Sequence, residues 1–412
     1  VSMTTQGTPV TLASSITYMP FGGIASLTYG NSLSLTQTWD NQYRLSSITA
    51  GSVLSLSYGY DASGNVTSIT DTIGSAPGQY IDSTTYAYES GTNRLTTITG
   101  TPTATLTHDA NGNIITEGTR TFTYDLTNRL TAVTDNETEI ASYVYDARNL
   151  RVKKATPAET RIFHYDVNGH LIAETDTAGN TLVEYVYLSD MPLATVRPTD
   201  TVYYFHTDHI NTPRVMTNSA GTVAWQAAYH GFGHAEVDGA STITNNIRFP
   251  GQYFDAETNL HYNWNRYYDP RTGRYLTPDP IGLEGGIDPF VYAENSPVNW
   301  VDIAGLKGDW RLDLYDHDMD VGKRPGQRPH FTSPEGHRYD ARTLEPIAHK
   351  KMPPELTKSQ KKDLCKSKAF DKWIKYARKE GILPAAFGLP DTVTNYCRQY
   401  PEDCIELFYR KD

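Results

Sequence analysis

Three histidines, His330, His337 and His349, stand within twenty residues of one another, among Arg328, Arg338, Arg342, Lys350 and Lys351 and close to Tyr339. Cutting RNA without a metal needs a general base, a general acid and cations on the phosphate. The histidines offer the proton transfer and Arg338 the charge. Arg328, Arg342 and Lys350 suit phosphates, and Tyr339 offers a face for base stacking. A lone histidine is more often structural, and the lysines of KSQKKDLCKSK more often coat a solvated helix, so the clustering is what supports this reading. Other chemistries lack their spacing. A zinc deaminase needs H-x-E and C-x-x-C, but Cys397 and Cys404 are seven apart and no H-x-E occurs near them. No H-E-x-x-H exists for a zincin, and Cys365 with His349 lacks a cysteine-protease signature. His206, Asp208 and His209 form an H-x-D-H run that fits no zinc spacing and reads as a turn. No metal or cofactor is expected.

These residues lie in a stretch unlike the rest of the chain. Of 412 residues, 1–306 hold 15 Lys and Arg against 30 Asp and Glu, a balance of −15, whereas 307–412 hold 21 against 17, a balance of +4. All three cysteines (Cys365, Cys397, Cys404) fall in the second part, too few for a disulfide scaffold. The length predicts two or three domains. No apolar run is long enough for a membrane helix. The opening VSMTTQGTPVTL has no basic and apolar leader pattern, so no secretory signal is expected there. The 29 Tyr against 12 Phe, with abundant Thr and Gly, predict a mainly β chain.

One phrase recurs along the first half: WDNQYRLSSIT from Trp39, YDASGNVTSIT from Tyr60, YESGTNRLTTIT from Tyr88, HDANGNIITE from His108, YDLTNRLTAVT from Tyr124, YDARNLRVKKA from Tyr145 and YDVNGHLIAET from Tyr165. The period is about twenty residues. Each copy reads as an alternating strand ending in an aromatic, a turn built by Asp with Gly or Asn, and a returning strand. One hairpin cannot bury its own face, so stacked hairpins are expected, and the aspartates of the phrase read as turn formers.

The phrase resembles the YD repeat of Rhs proteins, teneurins and insecticidal toxin-complex C proteins over residues 35–200. That resemblance implies hairpins forming part of a hollow β-shell around a cargo. The copies are fewer than a complete shell should need, so the expectation is the C-terminal part of a larger cocoon or an orphan fragment. From Tyr203, the text running through IRFPGQYFDAETNLHYNWNRYYDPRTGRYLTPDPIGLEGGIDPFVYAENSPVNWVDIAGL resembles the Rhs repeat-associated core. Asp279-Pro280-Ile281-Gly282 and Asp302-Ile303-Ala304-Gly305-Leu306 match that family's paired motifs. The resemblance implies an aspartyl-protease-like centre that cuts the chain between Leu306 and Lys307, where the charge balance also changes. It assigns Asp279 and Asp302 as the two carboxylates, one neutral and one ionised, with Arg274 expected to bind one of them. Asp288 is a weaker candidate for the first carboxylate. Without the resemblance, both motifs are turn punctuation. Ile303 replaces the family's proline, which would slow cleavage or loosen the turn.

The expected division is 1–200 YD-repeat shell, 201–306 associated core and 307–412 a small α+β domain. Ser333-Pro334-Glu335-Gly336 and the following His337, Arg338 and Tyr339 read as a hairpin. A helix capped by Thr357 is expected to run to Gly381, and a second to start at Asp391. In Rhs proteins this tail is typically a toxin, which implies a carrier that self-cleaves and delivers a small enzyme, with ribonuclease preferred. A DNase or ADP-ribosyltransferase, or a YD-repeat adhesion protein with an inert tail, remain the alternatives. Expected partners are RNA or another nucleic acid, an immunity protein that binds 307–412, and a contractile (type VI) or other specialised export machine. The tail is expected to act in the cytoplasm of a target cell.

Overall fold

A computed structural model describes residues 1–306 apart from 6–7, 20–22, 43, 63, 74–83, 101–102 and 283–286. Beyond 306 it describes only the backbone of three strands. The chain separates into two compact units, residues 1–280 with 288–306, and residues 281–287 with 307–412. In the second unit the strands Arg311–Asp313, His330–Thr332 and Arg338–Asp340 form an antiparallel sheet in which His330 pairs with Asp340 and Phe331 with Tyr339. The hairpin expected there is present. Both expected helices lie outside the described residues, as do Lys307, Arg328, His337, Arg342, His349 and Lys350.

The first unit is built from antiparallel hairpins in chain order. A six-stranded sheet runs from Ala13–Tyr18 to Val66–Asp71, and a sixteen-stranded one from Thr85–Tyr88 to Ala235–Val237. The larger sheet passes through residues 200–201 unbroken, because Met191–Arg197 pairs directly with Thr201–Thr207. Among the described residues no helix is long and apolar enough to cross a membrane.

The repeated phrase explains the hairpins locally. After Tyr124, Asp125 Oδ1 accepts the backbone N–H groups of Thr127 and Arg129 at 2.8 and 3.1 Å, and Asn128 takes a left-handed φ of 62°. Asp40, Asp146, Asp166 and Asp176 are wired the same way, so these aspartates are turn formers, as read from the sequence. The tyrosines have a second task. Tyr60, Tyr124 and Tyr165 each donate a hydroxyl hydrogen bond to an earlier carbonyl, of Leu45, Ile114 and Arg151, at 2.7, 2.8 and 3.0 Å. A phenylalanine would pack there but not donate.

The returning strands depart from simple alternation. Tyr124 pairs with Leu130 while Thr123 pairs with Ala132, so Thr131 is the extra residue of a bulge. The phase shift buries the first and fourth residues of the strand, Leu130 and Val133, just as it buries Leu45 and Ile48. Two repeats place charges at these core positions: Arg151 and Lys154 in one, Glu174 in the next, all buried.

A four-stranded meander, Gln252–Asp255, Leu260–Asn263, Arg266–Asp269 and Arg274–Tyr275, supplies their partners. Asp255 meets Arg151 Nη2 at 3.1 Å and Lys154 Nζ at 3.0 Å, and Lys154 also reaches Glu257. Burial opposes ionisation of Asp255, but the Arg151 and Lys154 charges outweigh it and hold the carboxyl below its usual range. Five rings, of Tyr143, Phe163, Tyr253, Tyr262 and Tyr267, surround the Arg151 guanidinium at 4.4–5.8 Å. Tyr253, Tyr262 and Tyr267 thus face the large sheet and share its apolar core.

Candidate active site

The opposite face of the meander holds the chemistry. Side chains alternate along a strand, and the ladder pairs His261 with Tyr268, Tyr268 with Tyr275, and Asn263 with Arg266. These residues therefore share the face turned away from Arg151. Arg266 Nη2 lies 2.9 Å from Asp279 Oδ2 and 3.1 Å from Asp302 Oδ2. The two carboxylates expected from the sequence are neighbours across a single nitrogen. All three residues are nearly out of solvent, at 2, 6 and 2 % exposure for Arg266, Asp279 and Asp302.

The surroundings fix each group. Pro289 O accepts both the Asp279 N–H at 2.9 Å and Arg266 Nη1 at 3.0 Å. Tyr275 donates its hydroxyl to Asp302 Oδ2 at 2.7 Å and accepts from Asn263 Nδ2 at 2.8 Å. The Tyr275 ring also lies beneath the Arg266 guanidinium, 3.6 Å from centroid to carbon. Burial pushes the Asp302 carboxyl above its usual range, and the Asp279 charge adds to this. Arg266, Tyr275 and the Leu306 N–H pull it back, with the net direction upward.

The segment Asp302–Leu306 repeats the turn of the YD phrase. Asp302 Oδ1 accepts the backbone N–H of Leu306 at 2.8 Å, four residues on, and Gly305 at the third position has φ 65°. Asp166, Gly169 and His170 hold the same relation, with Gly169 at φ 86°. The difference is at the second carboxylate oxygen. In the turns after Trp39, Tyr124 and Tyr165 it meets the side chain four positions on, as Asp125 meets Arg129 at 2.7 Å, and in the turn after Tyr145 it meets Arg148. Asp302 instead presents it to Arg266 and Tyr275.

Carbonyls along this segment are held as well. Asn263 Nδ2 donates to Asp302 O at 2.8 Å, Asn265 donates through N and Nδ2 to Ala304 O at 3.3 and 3.0 Å, and Arg266 Nε donates to Gly305 O. A β-carbon at Gly251 would lie 2.0 Å from Ile303 O, and one at Gly305 2.4 Å from Asn263 O. Glycine at both positions lets the segment lie directly on the meander.

Other residues singled out in the sequence are placed elsewhere. Arg274 does not bind either carboxylate. It forms a two-nitrogen pair with Asp288, 3.0 Å to each oxygen, and donates to Asn93 O. The reason is alternation: Arg274 pairs across from Asp269, on the face opposite Tyr275. Asp288 is thereby engaged with Arg274 and caps Phe290 N. His206 is buried against Thr217 Oγ1 at 2.8 Å, and burial lowers its pKa from 6.5 to about 3. Asp208 accepts the N–H groups of Ile210 and Thr212 within its turn, and His209 Nε2 contacts Val298 O at 2.6 Å. His330, Arg338 and Tyr339 are described only as backbone within the small sheet of the second unit.

A family model described as Teneurin YD-shell matches residues 25–190 and 181–289, more than half of the chain. A double-stranded DNA deaminase toxin A of Burkholderia cenocepacia strain H111 is 35% identical over an alignment covering 50% of this chain and 17% of its own length. A tRNA3(Ser)-specific nuclease WapA of Bacillus spizizenii is 29% identical, covering 48% of this chain and 9% of its own. The chain therefore spans less than a fifth of the length of these relatives. Among solved structures, a Photorhabdus luminescens Tc holotoxin pore superposes with a TM-score of 0.59 at 19% identity, covering 76% of this chain and 20% of that one. The likeness is one of fold, and it places the hairpins described above as part of a β-shell.

Proposed function

Because the chain belongs to the teneurin YD-shell family, we propose that residues 1–306 are the closing part of a toxin carrier that severs its own Leu306–Lys307 bond and frees residues 307–412. In this reading residues 1–200 are repeat shell and 201–306 the associated core. The observation that supports it best is the single Arg266 nitrogen shared by Asp279 and Asp302, with the Leu306 N–H on the same Asp302 carboxylate.

Fully ionised, the buried trio carries one positive and two negative charges, and one proton makes it neutral. Asp302, raised by burial, hosts that proton. The ionised Asp279 takes a proton from water as the water oxygen attacks the Leu306 carbonyl carbon. Asp302 lends its proton to the carbonyl oxygen. Collapse of the intermediate breaks the C–N bond as the Lys307 nitrogen takes the proton that Asp279 gained from water and leaves as an amine, while the protonated carbonyl oxygen returns its proton to Asp302 and Leu306 is left as a carboxylic acid. Arg266 keeps the two acids together and balances their charge, where the sequence pointed to Arg274 as the binder of one of them.

The freed tail is an enzyme acting on nucleic acid, with ribonuclease the preferred activity. Two relatives support this class, one named as a tRNA nuclease and one as a DNA deaminase. Deaminase chemistry itself does not fit, because the tail lacks the zinc-ligand spacing. The tail acts in the cytoplasm of a target cell after delivery, and the producer is protected by an immunity protein directed at 307–412. A denaturing gel with intact mass measurement tests the cut. The wild-type chain should yield a fragment beginning at Lys307, and Asp302→Asn or Asp279→Asn should slow its appearance about 10²–10⁴-fold. A wild-type chain that stays whole sinks the carrier reading in favour of a binding protein.

A further inference from the structure

The hairpin that carries Arg266 turns through Trp264, whose φ of 49° is left-handed. A bulky aromatic in that region is strained and persists only where its surroundings impose it. The surroundings here are two repeat turns of the large sheet. Trp264 Nε1 donates to Arg148 O at 3.1 Å, within the turn that follows Tyr145. The next YD turn, after Tyr165, receives the ring at Gly169, where a β-carbon would lie 2.4 Å from it. Asn149 Nδ2 adds a contact to Asn265 Oδ1 at 3.3 Å. The other residues of the same turn, Asn263, Asn265 and Arg266, hold the carbonyls of residues 302, 304 and 305.

From this arrangement we infer that Trp264 is a positioning residue for self-cleavage, clamping the hairpin tip to the repeat turns so that Arg266 and the Asp302–Leu306 segment meet in register. The inference rests on the cleavage reading above and adds a condition to it: the cut requires the turns at residues 146–150 and 166–170 to have formed. The tail is then severed only after those two repeats have folded, which makes Trp264 a checkpoint on completion of the wrapper.

The sister turns provide a clean test. Asn128 and Asn149 occupy the position equivalent to Gly169 with φ of 62 and 65°, so asparagine is compatible with the turn itself. Gly169→Asn leaves the turn intact while driving a side chain into the Trp264 ring. Gly179→Asn is the matched control, since that glycine has the same φ of 86° and open space around it. Full-length protein is followed on a denaturing gel, with thermal unfolding measured in parallel. Gly169→Asn should slow cleavage roughly tenfold to a hundredfold, as expected for misplacement of a reacting group, and Gly179→Asn should cut at the wild-type rate. Trp264→Asn, which tolerates the left-handed turn but removes the ring, should also be slow. Combining it with Gly169→Asn should add no further loss, because the clash is gone. This non-additivity separates positioning from general destabilisation. If the wild type cuts and Gly169→Asn and Trp264→Asn cut equally fast, this inference falls alone. If the wild type never cuts, the cleavage reading falls and takes this inference with it.

Discussion

At the scale of single residues, the centre is a case of charge balance under burial. Asp302 is pushed upward by loss of solvent and by its acidic neighbour, so its protonated form persists to higher pH than that of a free carboxylate. If that proton is the one lent to the carbonyl oxygen, the first-order rate of cleavage should fall as pH rises through the raised range of Asp302. The sign for stability is the same. The folded state binds this proton more tightly than the unfolded chain, so the contribution is present at low pH and is lost as pH climbs through the folded value. Stopped-time gels across a pH series, started from protein refolded out of denaturant, measure the first; a rate that rises with pH throughout would contradict it. The two aspartates were legible through the likeness of their motifs to the Rhs repeat-associated core, since as local signals those motifs read only as turns. Arg266 was not, since its role depends on which strand face it occupies, and that is fixed by pairing with residues far along the chain. The same missing register led to Arg274, which alternation turns toward Asp288 instead.

For the strands, the instructive feature is the bulge after each YD turn. It converts the expected alternation into burial at the first and fourth positions, a shift that follows from pairing and not from composition. In Arg151-Val152-Lys153-Lys154 the charges look like a solvated face when read alone, yet the bulge buries Arg151 and Lys154 against Asp255 and Glu257. The meander is thereby fastened to the large sheet through ions as well as rings. Removing Asp255 takes from the buried Arg151 its paired carboxylate and leaves Lys154 with Glu257. Asp255→Ala should therefore cost about 3–5 kcal/mol in the denaturant unfolding of the first unit. A loss below about 1 kcal/mol, the ordinary range for a surface pair, would show that the network contributes little. The turns themselves were readable in full, because Asp, Gly and Asn act there through their own backbone chemistry.

At the scale of the whole molecule, the chain joins two parts with opposite charge balance, −15 before Lys307 and +4 from it onward. A basic segment suits a polyanion, and an immunity protein for it should be acidic on the surface that meets it. Producing residues 307–412 in bacteria while following RNA integrity, DNA integrity and NAD level together tests the preferred chemistry. RNA should degrade first, before growth stops; intact RNA with fragmented DNA or falling NAD would transfer the assignment to the DNase or ADP-ribosyltransferase alternative.

The sheet order also has a consequence for how such molecules change size. Each inner strand of the sixteen pairs with its predecessor and successor along the polypeptide, so rungs can be laid down in the order the ribosome delivers them. Because neighbouring rungs run in opposite directions, gain or loss of two keeps every aspartate corner on its own margin, whereas gain or loss of one sends all later corners to the far margin. Lineages carrying this ladder should therefore differ by even numbers of rungs, with Trp264 always meeting the same margin.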